Sequence, residues 1–449
     1  MIYDLVIKNG TLVTAMTSYK ADIAIKEGKI SAIGQSLEGQ ETIDATDRLI
    51  TPGAIDTHVH LEMPIGKFVS SDDFYDGTKA AAMGGTTSII DFVEAKKNQN
   101  LIEALEERKS KAASKAVIDY AFHMTIGPED IKKLDQVQAA YERGCRSFKI
   151  YMAYGLRLTD GEILKAFEAI GEAGGLPVVH AENWDIITTL IERNISEGNK
   201  GPQWHTKSRP ALLEAEAVGR VIDLAAYAGV PVHIFHISCP EAAERIRQAR
   251  IQGHFVSGET CPQYLFLTDE VFEKEGVEGT LPICSPPIRG IIDQLELWDH
   301  LGSDTFHTIS SDHCPFTREE KASGAGAFNT VPGGVPSIEM RFPSIYTKGV
   351  REGFITENQW VDLCCTMPAR LFGLENKGDI QVGKDADLII FDPEKEFLLS
   401  EDSLHETAGW TPYENLKLKG WPETTISRGE VICSKGQFVA PKGRGKYIE

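Results

Sequence analysis

No run of about 18 consecutive apolar residues occurs in the chain, which excludes a membrane-spanning helix. The opening residues Met1-Ile2-Tyr3-Asp4 carry no basic segment ahead of an apolar one, so no secretory leader is expected. Positive charge is in the minority: 46 Lys and Arg face 66 Asp and Glu, a formal charge of −20. That balance argues against nucleic acid or an anionic membrane as partner, and leaves a small neutral molecule open. A soluble, cytoplasmic protein is the expectation. Cysteine is thin and unpatterned: Cys145, Cys239, Cys261, Cys284, Cys314, Cys364, Cys365 and Cys433 form no Cys-x-x-Cys pair. Neither a disulfide framework nor a zinc ribbon is indicated, and most of these thiols should be small buried hydrophobes. Internal repeats and low-complexity linkers are also missing.

What is present begins with length, since 449 residues exceed what one ordinary core holds. Tyr3 to Gly10 and Ala21 to Gly34 read as short strands with tight turns at Asn9-Gly10 and Glu27-Gly28. The same texture returns at Gly378 to Ile380, Ala386 to Phe391, Thr424 to Ser427, Glu430 to Cys433 and Gln437 to Val439. Neither end has enough strands to bury a sheet face alone. Residues 1–52 and 375–449 are therefore expected to pair into one small β-sandwich domain.

Between them, residues 53–374 alternate apolar runs with amphipathic stretches, the signature of a parallel sheet with crossover helices. The predicted strands are Ala54 to His58, Thr86 to Phe92, Val117 to Met124, Ser147 to Met152, Pro177 to His180, Val232 to Ile237, His254 to Thr260 and Phe306 to Ser311. Helices are expected over Leu101 to Ala113, Gly161 to Ala173, Leu212 to Ala228 and Glu241 to Ile251. This pattern fits an α/β fold of the (β/α)8 TIM barrel type, whose site lies at the strand C-terminal ends. A doubly wound open sheet is the alternative. Against it, no Gly-x-Gly-x-x-Gly follows an early strand, and Gly84-Gly85 reads as a helix C-cap.

Asp56-Thr57-His58-Val59-His60 is the stretch around which the rest gathers. Side chains alternate along an extended segment, so His58 and His60 share a face about 6 to 7 Å apart and can grip one metal ion. The last polar residues of other predicted strands add Lys149, His180, His236 and Asp312 at the same rim. Each has a plain structural alternative. Lys149 could extend its ammonium to the rim, His180 and His236 could be core histidines bonded to backbone carbonyls, and Asp312 could cap the following loop. An ammonium cannot bind a metal. Desolvation, however, lowers the amine's pKa, and the neutral amine can capture carbon dioxide as a carbamate, an anion able to bridge two cations. Lys149 is therefore expected to be an N6-carboxylysine. His233 faces the other side and reads as structural, Cys239 as the start of the next helix, and His313 as lying outside the ligand set.

Together these residues carry a resemblance. Asp56 to Pro64, Gly84 to Phe92, Ser147-Phe148-Lys149 to Tyr154, Gly258 to Tyr264, Cys284-Ser285-Pro286-Pro287 and Ser311 to Phe316 resemble the hydantoinase and dihydropyrimidinase branch of the cyclic amidohydrolases over nearly the whole chain. The resemblance implies a barrel with a composite β-domain, two zinc ions (Zn2+) bridged by carboxylated lysine and a hydroxide, and a homotetramer or homodimer. It implies that His58, His60, Lys149 and Asp312 hold one metal and Lys149, His180 and His236 the other. Other divalent metals are possible at such N/O sites. Tyr154 matches the tyrosine that steadies the substrate carbonyl oxygen, and Ser285 a position whose backbone holds the ring. Where the family usually reads Pro-Asn-Gly this chain has Pro332-Gly333-Gly334, so Gly333 can offer only its backbone. Glu62 stands where dihydroorotases carry an arginine, which argues against that relative.

The implied reaction is ring opening of 5-substituted hydantoins or dihydropyrimidines to N-carbamoyl amino acids, with Asp312 as base and then acid. Two alternatives remain: an allantoinase-like cyclic amidase with the same metal centre, and a non-catalytic scaffold like the dihydropyrimidinase-related proteins. Apolar residues in Ile65 to Phe68 and Tyr151 to Leu158 hint at tolerance of a hydrophobic ring substituent.

Overall fold

The computed structural model describes residues 2–449. Its central sheet orders the strands Ala54–Asp56, Thr86–Val93, Asp119–Thr125, Ser147–Tyr151, Leu176–His180, Val232–Ile234, Val256–Thr260 and Thr308–Ile309 in sequence, each parallel to the next. The ring closes just beyond the last strand: Ser311 N donates to Asp56 Oδ1 at 3.0 Å, and Val59 bridges His313 in parallel. This is the expected (β/α)8 barrel. Its second strand, Thr-Thr-Ser-Ile-Ile-Asp-Phe-Val, is buried at every position, as a strand covered on both faces must be.

Helices Leu101–Ala113, Asp160–Glu172, Ala211–Ala228 and Pro240–Ile251 lie between the strands, within a residue or so of the expected ranges. The first of them starts on a capping box of Asn100 and Glu103, which satisfies two orphan amides at the helix end. At Gly84-Gly85 the helix Phe74–Met83 turns into the second strand. A Cβ on Gly84 would sit 2.0 Å from Glu339 O, and Gly85 has φ +89°, so both positions need glycine.

The two termini interleave in a second unit. A four-stranded sheet contains Lys29–Gly34, Asp22–Lys26, Tyr3–Lys8 and Gly39–Asp44. A seven-stranded sheet joins Leu49–Pro52, Thr11–Val13 and Ser18–Lys20 to Leu388–Leu398, Lys417–Ser427, Glu430–Ser434 and Gln437–Phe438. The seam is the antiparallel pairing of Leu388–Phe391 with Leu49–Pro52. Leu5, Ile7, Ile23, Ile25, Ile50, Leu388, Ile390 and Ile426 form the core between the sheets. At Glu27-Gly28, φ values of 51° and 77° give the left-handed pair that a two-residue hairpin needs.

Four expectations are corrected. Gly378 to Ile380 is irregular rather than a strand, although Ile380 is buried in the sandwich core. The first barrel strand ends at Asp56 rather than His58, and Val59 rejoins through its bridge to His313. The sixth and eighth barrel strands also end earlier than expected, at Ile234 and Ile309. The reason is local: His236 (φ 41°) and Asp312 (φ 49°) take left-handed backbone conformations that leave the ladder.

Candidate metal centre

The barrel mouth opens into a cavity of about 510 Å³ lined by His58, His60, Lys149, His180, His236 and Asp312, together with Tyr154, Ser285 and Gly333. The structure thus brings every sequence-predicted site residue to one wall system. Asp312 Oδ1 lies 3.2 Å from His58 Nε2 and 3.4 Å from His60 Nε2. One donor atom of each of the three lies within 4.8 Å of the others. Across the cavity His180 Nδ1 faces His236 Nε2 at 2.9 Å.

Two of the four imidazoles, His58 and His180, are oriented from behind by carboxylates. His58 Nδ1 meets Glu259 Oε1 at 2.8 Å, so its N–H is spent there and the Nε2 lone pair faces Asp312. His180 Nε2 meets Glu182 Oε2 at 2.8 Å, which in turn accepts from Arg209 Nη1 at 2.5 Å. Glu259 also accepts from the His236 backbone N–H at 3.3 Å. The supporting carboxylates therefore fix ring tautomers as well as positions.

Burial pushes the pKa of His58, His180 and His236 down, so these rings are neutral with lone pairs available. Burial opposes the charge of Asp312, but His58 and His60 outweigh it and hold the carboxylate below its ordinary range. Lys149 is 1% exposed, its Nζ 4.3 Å from the Phe235 ring centre and 4.8 Å from that of Tyr151. Among the described residues no carboxylate stands within ion-pair distance of it. Burial pulls its amine down to about 7, against the pull of Asp312 and Glu259.

Two further observations bear on a metal. His60 Nδ1 and His236 Nδ1 are buried without a hydrogen-bond partner. The convergent donors are imidazoles, a carboxylate and a near-neutral amine, a nitrogen and oxygen set that suits zinc and similar divalent ions. The residues present fit such ions. A second acidic cluster, Asp119, Asp385 and Asp387, has its cation already: Lys377 Nζ lies 2.6, 3.0 and 2.7 Å from the three carboxylates.

Tyr154 has φ 66° and packs its ring 5.4 Å from that of His180 and 4.8 Å from that of Trp184. Burial pushes its phenol up to about 12, so it keeps its proton and acts as a donor. Ser285 Oγ is 3.3 Å from His205 Nε2, which holds Cys284 O at 2.8 Å and steadies this loop. Gly333 has open space at its Cβ position, the nearest atom being 4.0 Å away.

Residues read as bystanders sit outside the donor cluster. His313 Nε2 bonds Asp72 Oδ2 at 2.8 Å, His233 Nδ1 bonds Ser257 Oγ at 2.8 Å, and Cys239 precedes the helix that begins at Pro240. Glu62 is drawn to Lys111 and Lys115, each at 3.0 Å, and does not line the cavity. Sequence reasoning missed Glu259, the Glu182–Arg209 pair and Glu94, which lines the cavity beside Met63, Ile65 and Leu156. Barrel parity could have flagged Glu259, which sits next to the end of the seventh strand; nothing local marks Arg209.

The model of the amidohydrolase family matches residues 49–432, and that of the urease alpha-subunit N-terminal domain matches residues 1–57. The D-hydantoinase of Geobacillus stearothermophilus is 43% identical over 450 residues, covering 99% of this chain and 96% of that protein. Among solved structures, the dihydropyrimidinase from Brevibacillus agri superposes with a TM-score of 0.97 at 41% identity, covering 99% of this chain and 98% of that one. The L-hydantoinase from Arthrobacter aurescens gives 0.94 at 30% identity, with both chains covered completely.

Proposed function

Because the chain belongs to the amidohydrolase family, we propose that it hydrolyses cyclic amides, opening 5-substituted hydantoins or dihydropyrimidines to N-carbamoyl amino acids. The observation that carries this reading is the convergence of His58, His60, Lys149, His180, His236 and Asp312 on one cavity at the barrel mouth. The full-length relatedness to D-hydantoinases supports it.

In this reading His58, His60, Lys149 and Asp312 would hold one divalent ion and Lys149, His180 and His236 another, with Lys149 as N6-carboxylysine and zinc as the metal. Bound there, a pair of such ions supplies an activated water and polarises the amide carbonyl. The chain's own groups do the rest. Tyr154 donates its phenolic hydrogen to the carbonyl oxygen as negative charge grows on it. The backbones at Ser285 and Gly333 hold the ring so that the scissile C–N bond faces Asp312. Asp312 takes the proton released as water adds to the carbon, and returns it to the ring nitrogen as the C–N bond breaks. One water is consumed and no other reactant is needed. Glu259 and the Glu182–Arg209 pair keep His58 and His180 in their donor tautomers.

We further place the catalytic unit at residues 53–374 and the sandwich at 1–52 and 375–449, in a cytoplasmic homotetramer or homodimer. Turnover of a panel of hydantoin, 5-substituted hydantoins of both hands, dihydrouracil and allantoin tests the reaction, alongside metal analysis and intact mass of the native protein. Ring opening of the first three classes is expected, with about two metals per chain. Opening of allantoin alone would move the assignment to another cyclic amidase, and a metal-free, inactive protein would remove it.

A further inference from the structure

Of the two carboxyl groups that line the cavity, Asp312 and Glu94, the ring-opening chemistry leaves Glu94 unused. Glu94 follows directly on the second barrel strand, Thr86–Val93, and lines the cavity with Met63, Ile65, Tyr151 and Leu156. Its carboxyl is partly buried and, among the described residues, is held by no hydrogen bond. It is not one of the mutually close donors His58, His60 and Asp312, and burial pushes its carboxyl up against the pull of His60, Arg108 and Lys149. Arg108 is already engaged by Asp91 and Leu61 O, and Lys96, two residues along the chain, by Glu107.

A carboxylate drawn into an apolar wall without a partner is costly, and a group that satisfies it is bound strongly. The cavity that it lines also carries the aliphatic Met63, Ile65 and Leu156, the Tyr151 phenol, which burial and Glu94 itself keep protonated, and the donors His60 and Lys149. Ser285 and Gly333 approach from loops that follow the seventh and eighth strands, whereas Glu94 comes from the second. A ring held at Ser285 and Gly333 leaves the wall of Glu94, Met63, Ile65 and Leu156 free to meet its carbon substituent. The apolar residues foreseen in the rim loops are there, but they share the wall with an acid.

We propose that Glu94 selects the ring substituent: the pocket favours side chains ending in an N–H donor, above all a protonated amine or guanidine, over alkyl chains of equal length. This rests on the ring-opening reading and deepens it to a substrate class.

The test compares hydantoins carrying an aminobutyl or a pentyl chain on the ring carbon, with plain hydantoin and dihydrouracil alongside, using metal-loaded wild-type protein, Glu94→Gln and Glu94→Leu. The ratio of kcat/KM for aminobutyl over pentyl should exceed one in the wild type and fall about tenfold or more in Glu94→Leu, with Glu94→Gln between. Inhibition by the corresponding N-carbamoyl products should follow the same order, a readout of binding alone. A wild type that prefers pentyl, or a ratio unchanged by both substitutions, overturns the proposal while plain hydantoin is still opened. If the wild type opens no ring at all, the ring-opening reading itself fails and this one falls with it.

Discussion

Asp312 and Lys149 line the same cavity as the four imidazoles, yet their charges fare in opposite ways. Two histidines hold the carboxylate ionised, whereas the lysine, with no anion close enough to pair, is pulled down to about 7. Replacing Asp312 with Asn should lower kcat by about 10²–10⁴-fold while leaving part of the metal bound, measured by steady-state kinetics with metal analysis on the same sample. Near-normal turnover would take Asp312 out of the proton path. Tyr154 makes a pH prediction. Its phenol is protonated below about 12, so the donor should persist as pH rises through 10, where an ordinary tyrosine ionises. The Tyr154→Phe variant should lose about 10²-fold in kcat with no change in that alkaline limb. At Gly333 the space around the missing Cβ is open, so Gly333→Asn should fold with an unchanged melting temperature, and an altered KM would show that a side chain there reaches the ring.

At the scale of elements, the seventh strand, Val256–Thr260, contributes a residue that only its inward parity marks in the sequence. It donates no expected ligand, yet Glu259 reaches His58, the His236 backbone and Thr57 from its inward face. Glu259→Gln keeps the shape but removes the anion that holds the His58 N–H. The expected result is a metal affinity about 10 to 100 times weaker, read by competition with a chelator, with secondary structure intact. Equal affinity would show that His58 is positioned by packing alone. The sixth and eighth strands show the converse: their apolar pattern runs past their ends, because it does not encode the left-handed turns at His236 and Asp312 that aim these side chains inward.

For the whole molecule, the junction between barrel and sandwich is closed by a buried charge cluster. Lys377 is 4% exposed and joins Asp119 of the third barrel strand to Asp385 and Asp387, which precede the strand Leu388–Leu398. Burial opposes its charge, but the three aspartates outweigh this and raise its pKa. Its contribution to stability is then complete below the unfolded lysine value of about 10.4 and fades only as pH climbs through the higher folded value. Lys377→Met strands buried carboxylates and should cost about 3–5 kcal/mol in denaturant unfolding at neutral pH. A loss below about 1 kcal/mol would mean that the junction is held by apolar contacts alone.

The order of apolar runs and helices, the polar residues that end those runs, and the strand texture of both termini are local properties, and the sequence by itself determined them. They sufficed for the barrel, the interleaved sandwich and the residues that meet at the mouth, because a (β/α)8 sheet delivers all its strand ends to one rim. What only the tertiary structure decided depends on distance across the barrel. Glu259 behind His58, Arg209 behind Glu182 and Glu94 without a partner are defined by neighbours far away in the chain. Whether a buried charge is paired or stranded is a property of the folded surroundings, which no local pattern of residues encodes.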